Sequence, residues 1–375
     1  MMRKGKGKQS KRKGKERAKG RAKGRVKATS KGPAPVVTTK EFESYLERMR
    51  LVVDQELAKA LDVGANPRLK EAMAYLPSKG GKRLRPIMAM TAADAVAADK
   101  KARGNGMWKE AMPLGLALEI IHNFTLLHDD IMDGDDERRG VPTVHKVYSV
   151  PTAINAGDAL FARAFEVLGR TRIHETGFRT LVDDLARMVR ELGEGQEWDI
   201  EFEHRTDVTE DEYLRMVERK TGLMFQNAAK GGALVAGGTR KQVSALHEYG
   251  RLIGIGFQIQ DDYLDLTADP KKLKKPVGND IKTGKQTIII IHGKAHMDAP
   301  QRARLDKALG KRDAATDADV RDAIAALREA GSLDYARQRA FDHARMAEAR
   351  LAVLPDSVPK EHLRKLIEFI VLREF

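Results

Sequence analysis

No cysteine occurs anywhere in the 375 residues. Its absence excludes a disulfide framework and thiolate-bound metal, and suits a reducing cytoplasm. Aromatic residues are scarce at 5%, whereas Ala, Leu, Met, Lys, Arg and Glu abound, a mixture that favours helix over sheet. No apolar run approaches the roughly 18–20 residues that cross a bilayer; Thr287 to Ile291 is only a short buried segment. Alternating strand patterns joined by hairpin turns are lacking too, as is any repeat that would define a solenoid.

Positive charge is plentiful but confined. Residues 1–40 hold 16 of the 68 Lys and Arg and a single acid, Glu16; the other 335 residues carry 52 basic and 53 acidic side chains. The formal charge of +14 therefore belongs to a tail, and the body is nearly neutral. Residues 1–35 interleave Lys and Arg with Gly, Ala and Ser and offer almost nothing to bury, which predicts a disordered appendage. No apolar segment follows the charges, so it is not a secretory signal. Charge alone would also permit contact with an anionic membrane surface or with nucleic acid, but the aromatic interleaving of a specific nucleic-acid reader is missing.

Residues 36–375 read as a single all-α domain. Hydrophobic residues are 42% of the chain, enough for a large core. Glu41–Leu61 sets Phe42, Tyr45, Leu46, Met49, Val52, Val53, Leu57 and Leu61 along one stripe, as an amphipathic helix requires. Helical periodicity continues over Arg85–Ala98, Pro113–Gly134, Thr152–Leu168, Phe178–Glu194, Glu210–Val235 and Lys241–Leu266. It resumes at Thr287–Gly293, Ala299–Ala308, Asp317–Glu329, Ser332–Leu354 and Lys360–Arg373.

One short motif recurs, and it carries the chemistry. HDDIMD supplies Asp129, Asp130 and Asp133; some 130 residues on, QDDYLD supplies Asp261, Asp262 and Asp265. On a helix these spacings gather three carboxylates within one turn, between apolar Ile131 and Met132 or Tyr263 and Leu264. Like charges in a half-buried turn repel and are costly to desolvate unless cations join them. An oxygen-only ligand set points to Mg²⁺, which takes one or two carboxylates, waters and substrate phosphates. A single copy arises by chance in many charged helices; two with identical spacing in apolar helices could hold a pyrophosphate between metal ions.

Basic residues complement them. GGKRLRP (Gly80–Pro86) brings Lys82, Arg83 and Arg85 to a Gly-rich turn at a helix start, where backbone amides and guanidinium groups suit phosphate. Arg138 and Arg139 follow the first aspartate cluster; a positively charged helix end is the ordinary explanation of such a pair. His122, Lys220, Thr221 and Gln258 are polar residues inside apolar helical stretches and, singly, are as readily structural as catalytic. The Lys274–Thr287 loop adds Lys275, Asp280 and Lys285, and its Gly and Pro content suggests a mobile flap.

Taken together, GGKRLRP, HDDIMDGDDERRGVPTVH, AINAGDALFA, GQEWD, KTGLMF, GFQIQDDYLD and KPVGNDIKTGKQT, in this order, resemble the trans-type isoprenyl diphosphate synthases, the farnesyl and geranylgeranyl diphosphate synthase family, over residues 37–375. The resemblance implies the isoprenoid synthase fold, antiparallel helices around a deep central cavity, in a cytoplasmic homodimer without a transmembrane segment. It implies that Asp129, Asp130 and Asp133 bind two Mg²⁺ ions and that Asp261, Asp262 and Asp265 bind a third. Arg138 would then grip an allylic diphosphate (dimethylallyl, geranyl or farnesyl). Lys82, Arg85, His122 and Arg139 would hold isopentenyl diphosphate, Lys220, Thr221 and Gln258 would flank the developing allylic cation, and Lys275 and Lys285 would contact diphosphate from the closing loop. Gln196 and Asp199 match a motif near the metal site.

Phe124, about 7.5 Å before Asp129 along a helix axis, and Thr125 stand where this family's product length is set. One aromatic and one small residue there resemble the archaeal-type geranylgeranyl synthases or dual C15/C20 enzymes, giving an expected C20 product with farnesyl diphosphate as the alternative. A terpene cyclase would need no basic second pocket, a non-catalytic partner subunit would lack an aspartate cluster, and a nucleic-acid binder would rest on the tail alone.

Overall fold

The computed structural model describes residues 1–2, 35–98, 106–268 and 277–372. The expectation of a disordered basic tail, and the position of Lys275, fall outside them.

The first helix, α1 (Thr39–Leu61), starts where Thr38 and Glu41 form a reciprocal capping box. It buries Phe42, Tyr45, Met49, Val53, Leu57 and Leu61, so the stripe read from the sequence is its core face. α2 (Pro67–Ser78), capped by the Asn66 side chain, was not foreseen, because its apolar positions are few and Pro77 stands in its last turn. α3 (Leu84–Ala97) and α4 (Met107–Met132) are buried on nearly every side. Helices apolar all round belong at the centre of a large core, and α4 indeed packs against α3, a short α5 (Val144–Val147), α6 (Val150–Leu168) and α9 (Leu223–Val235).

The periodic segment Glu210–Val235 is three elements rather than one. α7 (Glu175–Phe202) precedes α8 (Glu210–Val217), a π-turn (Glu218–Gly222) and then α9. Wider turns of this kind bulge one residue out of the ladder and are often found at functional sites. The long α10 (Arg240–Thr267) packs on α9 and on α15 (Ser332–Arg350). Between them come α11 (Asn279–Thr283), α12 (Ile288–His296), α13 (Ala299–Asp306) and α14 (Asp317–Glu329), and α16 (Val358–Val371) follows α15.

Strand pairing, unexpected from the pattern, occurs once among the described residues. Glu137–Arg138 pairs antiparallel with Val141–Pro142 across Arg139 and Gly140, both at positive φ (58° and 75°). This is the two-residue turn whose twist suits a hairpin. Arg138 and Arg139 therefore sit in a hairpin, not at a helix end. No described helix is long and apolar enough to cross a membrane.

The first and last helices, α1 and α16, pack against each other. The His362 ring stacks on Tyr45 with centres 3.9 Å apart and is 9% exposed; burial, helped by nearby Arg48, pushes its pKa from 6.5 down to about 4. The unfolded chain therefore binds the extra proton between these values, and stability must fall as pH drops from 6.5 toward 4. The loss is bounded at about 3 kcal/mol. We expect His362→Phe to flatten the pH dependence of urea unfolding across this window; an unchanged slope would contradict the assignment.

Candidate active site

Asp129 and Asp130 close α4, and Asp133 caps it, its amide donating to the Asp129 carbonyl at 2.8 Å. The three do not converge. Asp129 lines a cavity of about 680 Å³, and Asp133 is exposed. Asp130 is 1% exposed, accepts from the Arg138 guanidinium and keeps Oδ2 buried without a protein partner. Burial raises the Asp129 carboxyl to about 6, with Lys220 opposing and Asp133 and Asp130 adding to the shift.

The second cluster divides in the same way. Asp261 lines the cavity that Asp129 lines. Asp262 is buried, with Oδ2 accepting from the Tyr213 hydroxyl at 2.6 Å and Oδ1 from Gln258 Nε2 at 2.9 Å. Burial pushes its carboxyl well above the usual range and neighbouring Asp280 reinforces this, while the two donors work against it. Asp265 accepts from the Asp280 amide at 3.2 Å, and its carbonyl takes the Gly278 amide at 2.9 Å, which ties α11 to this turn.

Among the described residues no three His or acidic side chains are arranged to hold an ion by themselves. The donor set nevertheless fits Mg²⁺, which needs only one or two carboxylates beside water and phosphate oxygens. The elevated Asp129 and the unpartnered Asp130 oxygen are also what carboxylates show when a neighbouring cation is wanting.

Basic residues line the same cavity as the acids. Gly80 and Gly81 (φ 88° and 152°) lead into Arg83, itself at φ 49° and 3% exposed. Arg83 donates to Asp54 (2.8 Å), Glu119 (2.8 Å) and the Pro77 carbonyl (2.5 Å), so it anchors the loop rather than facing the cavity. Arg85, Arg138, Arg139 and His122 do line it. Arg85 lies 4.9 Å over the Phe225 ring with Nε buried and unpartnered; burial lowers it to about 10, still cationic at neutral pH. Arg139 is held by the Leu76 carbonyl (3.0 Å) and the Gly80 carbonyl. Burial, with the charges of Arg85, Arg139 and Arg138, keeps His122 well below its ordinary pKa. Lys82 departs from expectation: it is exposed, its ammonium 5.8 Å over the Phe369 ring, and it does not line the cavity.

The π-turn brings Lys220 and Thr221 to the same cavity. Lys220 Nζ donates to Asp199 at 2.6 Å, and Lys285 reaches that oxygen at 3.4 Å. Although burial opposes it, the charges of Lys285 and Lys220 hold Asp199 below the usual carboxylate range. Thr221 donates to Gln258 Oε1 at 3.0 Å. Gln196 also lines the cavity, with both amide atoms buried and unpartnered. Phe124 forms a wall between His128 (ring centres 4.9 Å apart) and Phe161 (5.5 Å), and Thr125 bonds back to the His122 carbonyl. A second cavity of about 710 Å³, between α1 and α2, is lined by Leu57, Leu61, Ala74 and Pro77 among others, and by none of these aspartates.

A helical body around a cavity lined by an aspartate from each of two clusters and by three arginines fits the isoprenoid synthase class of enzymes. The sequence model of the polyprenyl synthetase family matches residues 66–327, and the chain belongs to that family: it is a prenyltransferase. It is 40% identical to the geranylgeranyl diphosphate synthase of Methanosarcina mazei over 86% of this chain and 95% of that protein. It is 39% identical to the geranylfarnesyl diphosphate synthase of Natronomonas pharaonis, over 89% and 98%. The crystal structure of geranylgeranyl pyrophosphate synthetase from Pyrococcus horikoshii superposes with a TM-score of 0.82 at 39% identity, covering 89% of this chain and 99% of that one.

Two glycines make room for the π-turn. A Cβ on Gly195 of α7 would stand 2.5 Å from the Lys220 nitrogen, and one on Gly254 of α10 would stand 2.5 Å from the Gly222 Cα. Backbone cannot yield as a flexible side chain does, so Gly195→Ala must displace the turn. We expect a cost of about 1–3 kcal/mol in stability and, from misplacement of Lys220 by even 1 Å, turnover lower by about 100-fold. Thermal melts and steady-state assays of the variant check this; full activity would show the turn to be tolerant.

Proposed function

We propose that the enzyme condenses isopentenyl diphosphate with dimethylallyl, geranyl and farnesyl diphosphate in turn, releases diphosphate and delivers geranylgeranyl diphosphate. The observation that carries this is one cavity lined by Asp129 and Asp261 and also by Arg85, His122 and Arg139: acids for a metal-bound diphosphate and cations for a second one.

On this reading, Asp129 and Asp133 share one helix face, as do Asp261 and Asp265, and these carboxylates would hold Mg²⁺, three ions in all. Bound there, Mg²⁺ would supply charge neutralisation for the leaving diphosphate. Arg138, fixed by Asp130 and by Asp135 at 3.1 Å, grips the same group. Arg85 and Arg139 bind the second diphosphate; His122, held neutral, adds a hydrogen bond without a charge. The allylic C–O bond then breaks, with its electron pair leaving on diphosphate. The isopentenyl double bond forms the new C–C bond, and the proton it sheds goes to the departing diphosphate, so no protein base is needed. Oxygens of Thr221 and Gln258 face the cation, electrostatic support prepared before the charge appears. Val189, Leu192, Met224 and Phe257 line the rest of the cavity and exclude water that would quench it. Lys285 approaches through its shared contact with Asp199. A cytoplasmic homodimer is the working assembly we infer from the family.

Names of relatives support C20 and C25 products alike; the Phe124 wall backed by Phe161 favours C20. Labelled isopentenyl diphosphate with each primer and Mg²⁺ should give a C20 product on chromatography, and chelation with EDTA should abolish turnover until Mg²⁺ is restored. A dominant C15 or C25 band would overturn the product assignment. Phe124→Ala should lengthen the product by at least one C5 unit; an unchanged distribution would remove Phe124 from that role.

A further inference from the structure

Asp262 belongs to the repeated aspartate motif, yet the structure already occupies both its oxygens. Tyr213 donates to Oδ2 at 2.6 Å and Gln258 Nε2 to Oδ1 at 2.9 Å. Asp261 lies in the large cavity, whereas Asp262 lines a neighbouring pocket of about 60 Å³ together with Tyr213. Tyr213 is 1% exposed, and its helix leads directly into the π-turn.

The bonds run in one direction. Two donors converge on Asp262, one for each oxygen. Because Gln258 turns its NH₂ to Asp262, its Oε1 must face the other way, where it accepts from Thr221 Oγ1 at 3.0 Å. Gln258 and Thr221 both line the large cavity. An amide can present either end, and its hydrogen-bond partners decide which. Were Gln258 reversed, N–H dipoles instead of oxygen would meet the substrate's developing positive charge.

We propose that Tyr213 and Asp262 form an orientation lock that holds the Gln258 oxygen toward the allylic cation. This rests on the proposed reading of Thr221 and Gln258 as the groups facing that cation. Tyr213 touches no reacting atom and is a positioning residue; Asp262 acts through Gln258 rather than as a direct ion ligand.

The test compares two ligands by calorimetry in excess Mg²⁺. One is an ammonium analogue carrying a protonated nitrogen at the allylic cationic centre; the other is a thiolodiphosphate of the same prenyl chain, which has no such charge. A buried group that loses its hydrogen-bond partner costs roughly 5- to 150-fold in an equilibrium. Tyr213→Phe should therefore weaken the ammonium analogue by about 10-fold and leave the thiolodiphosphate within about twofold. Asp262→Asn, which leaves one acceptor oxygen for the two donors Tyr213 and Gln258, should show the same split and carries the test should Tyr213→Phe not fold. If Asp262 were instead a direct ion ligand, both analogues would weaken together in Asp262→Asn, and the lock is refuted; equal or absent effects in Tyr213→Phe refute it too. Failure of the unmutated enzyme to bind the thiolodiphosphate would refute the prenyl-transfer site itself, a separate result.

Discussion

Carboxylates placed in an apolar helical core are costly, and the arrangement around them follows from limiting that cost. Each acid that is not offered to the cavity has been given donors by the protein. Asp130 has Arg138, Asp199 has Lys220 and Lys285, and Asp262 has Tyr213 and Gln258. Those donors lie on separate elements: a hairpin, the π-turn, α10 itself, α8 and the segment after α11. Meeting the needs of these acids thus draws four regions of the chain onto the ends of α4, α7 and α10. Asp129 is left with a raised pKa of about 6, a state that costs free energy alone and becomes favourable beside a cation.

That division explains why two identical motifs are needed but six identical roles are not. At positions i and i+4, the outer pair of each motif shares a helix face, whereas the second aspartate is rotated by about 100°. In the first motif the rotated residue fastens the hairpin that carries Arg138 and Arg139. In the second it fastens Tyr213 and Gln258. The motif couples a first aspartate that lines the cavity to a second that fastens the surrounding wall.

Much of this was legible in the sequence. The core stripe of α1, the helical character of the body and the two aspartate clusters all follow from spacing, and Arg85, His122, Arg138, Arg139, Lys220, Thr221 and Gln258 do line one cavity. Other features left no periodic trace. A π-turn keeps helical periodicity on both sides and shifts it by one residue, so Glu210–Val235 reads as continuous. Tyr213 looks like any core aromatic, since its hydroxyl partner is 49 residues away. Lys82 and Arg83 were indistinguishable as basic loop residues. The left-handed backbone at Arg83 separates them, burying that guanidinium among Asp54, Glu119 and Pro77 while Lys82 remains at the surface.

The buried Arg83 bears on the opposite wall as well. Asp54 and Glu119 pair with it, so it braces the Gly80–Gly81 turn, whose Gly80 carbonyl accepts from Arg139. Arg85, Arg138 and Arg139 supply the positive potential. A fourth charge from His122 would raise the repulsion among them, and burial beside those arginines keeps it neutral instead. A neutral imidazole can accept as well as donate, so the wall gains a hydrogen-bonding group at no electrostatic cost. The acids and the bases of the cavity therefore meet the same problem with opposite signs: Asp129 and the arginines line the space where a diphosphate could compensate them, while Asp130, Asp199 and Asp262 are paired and His122 is held neutral.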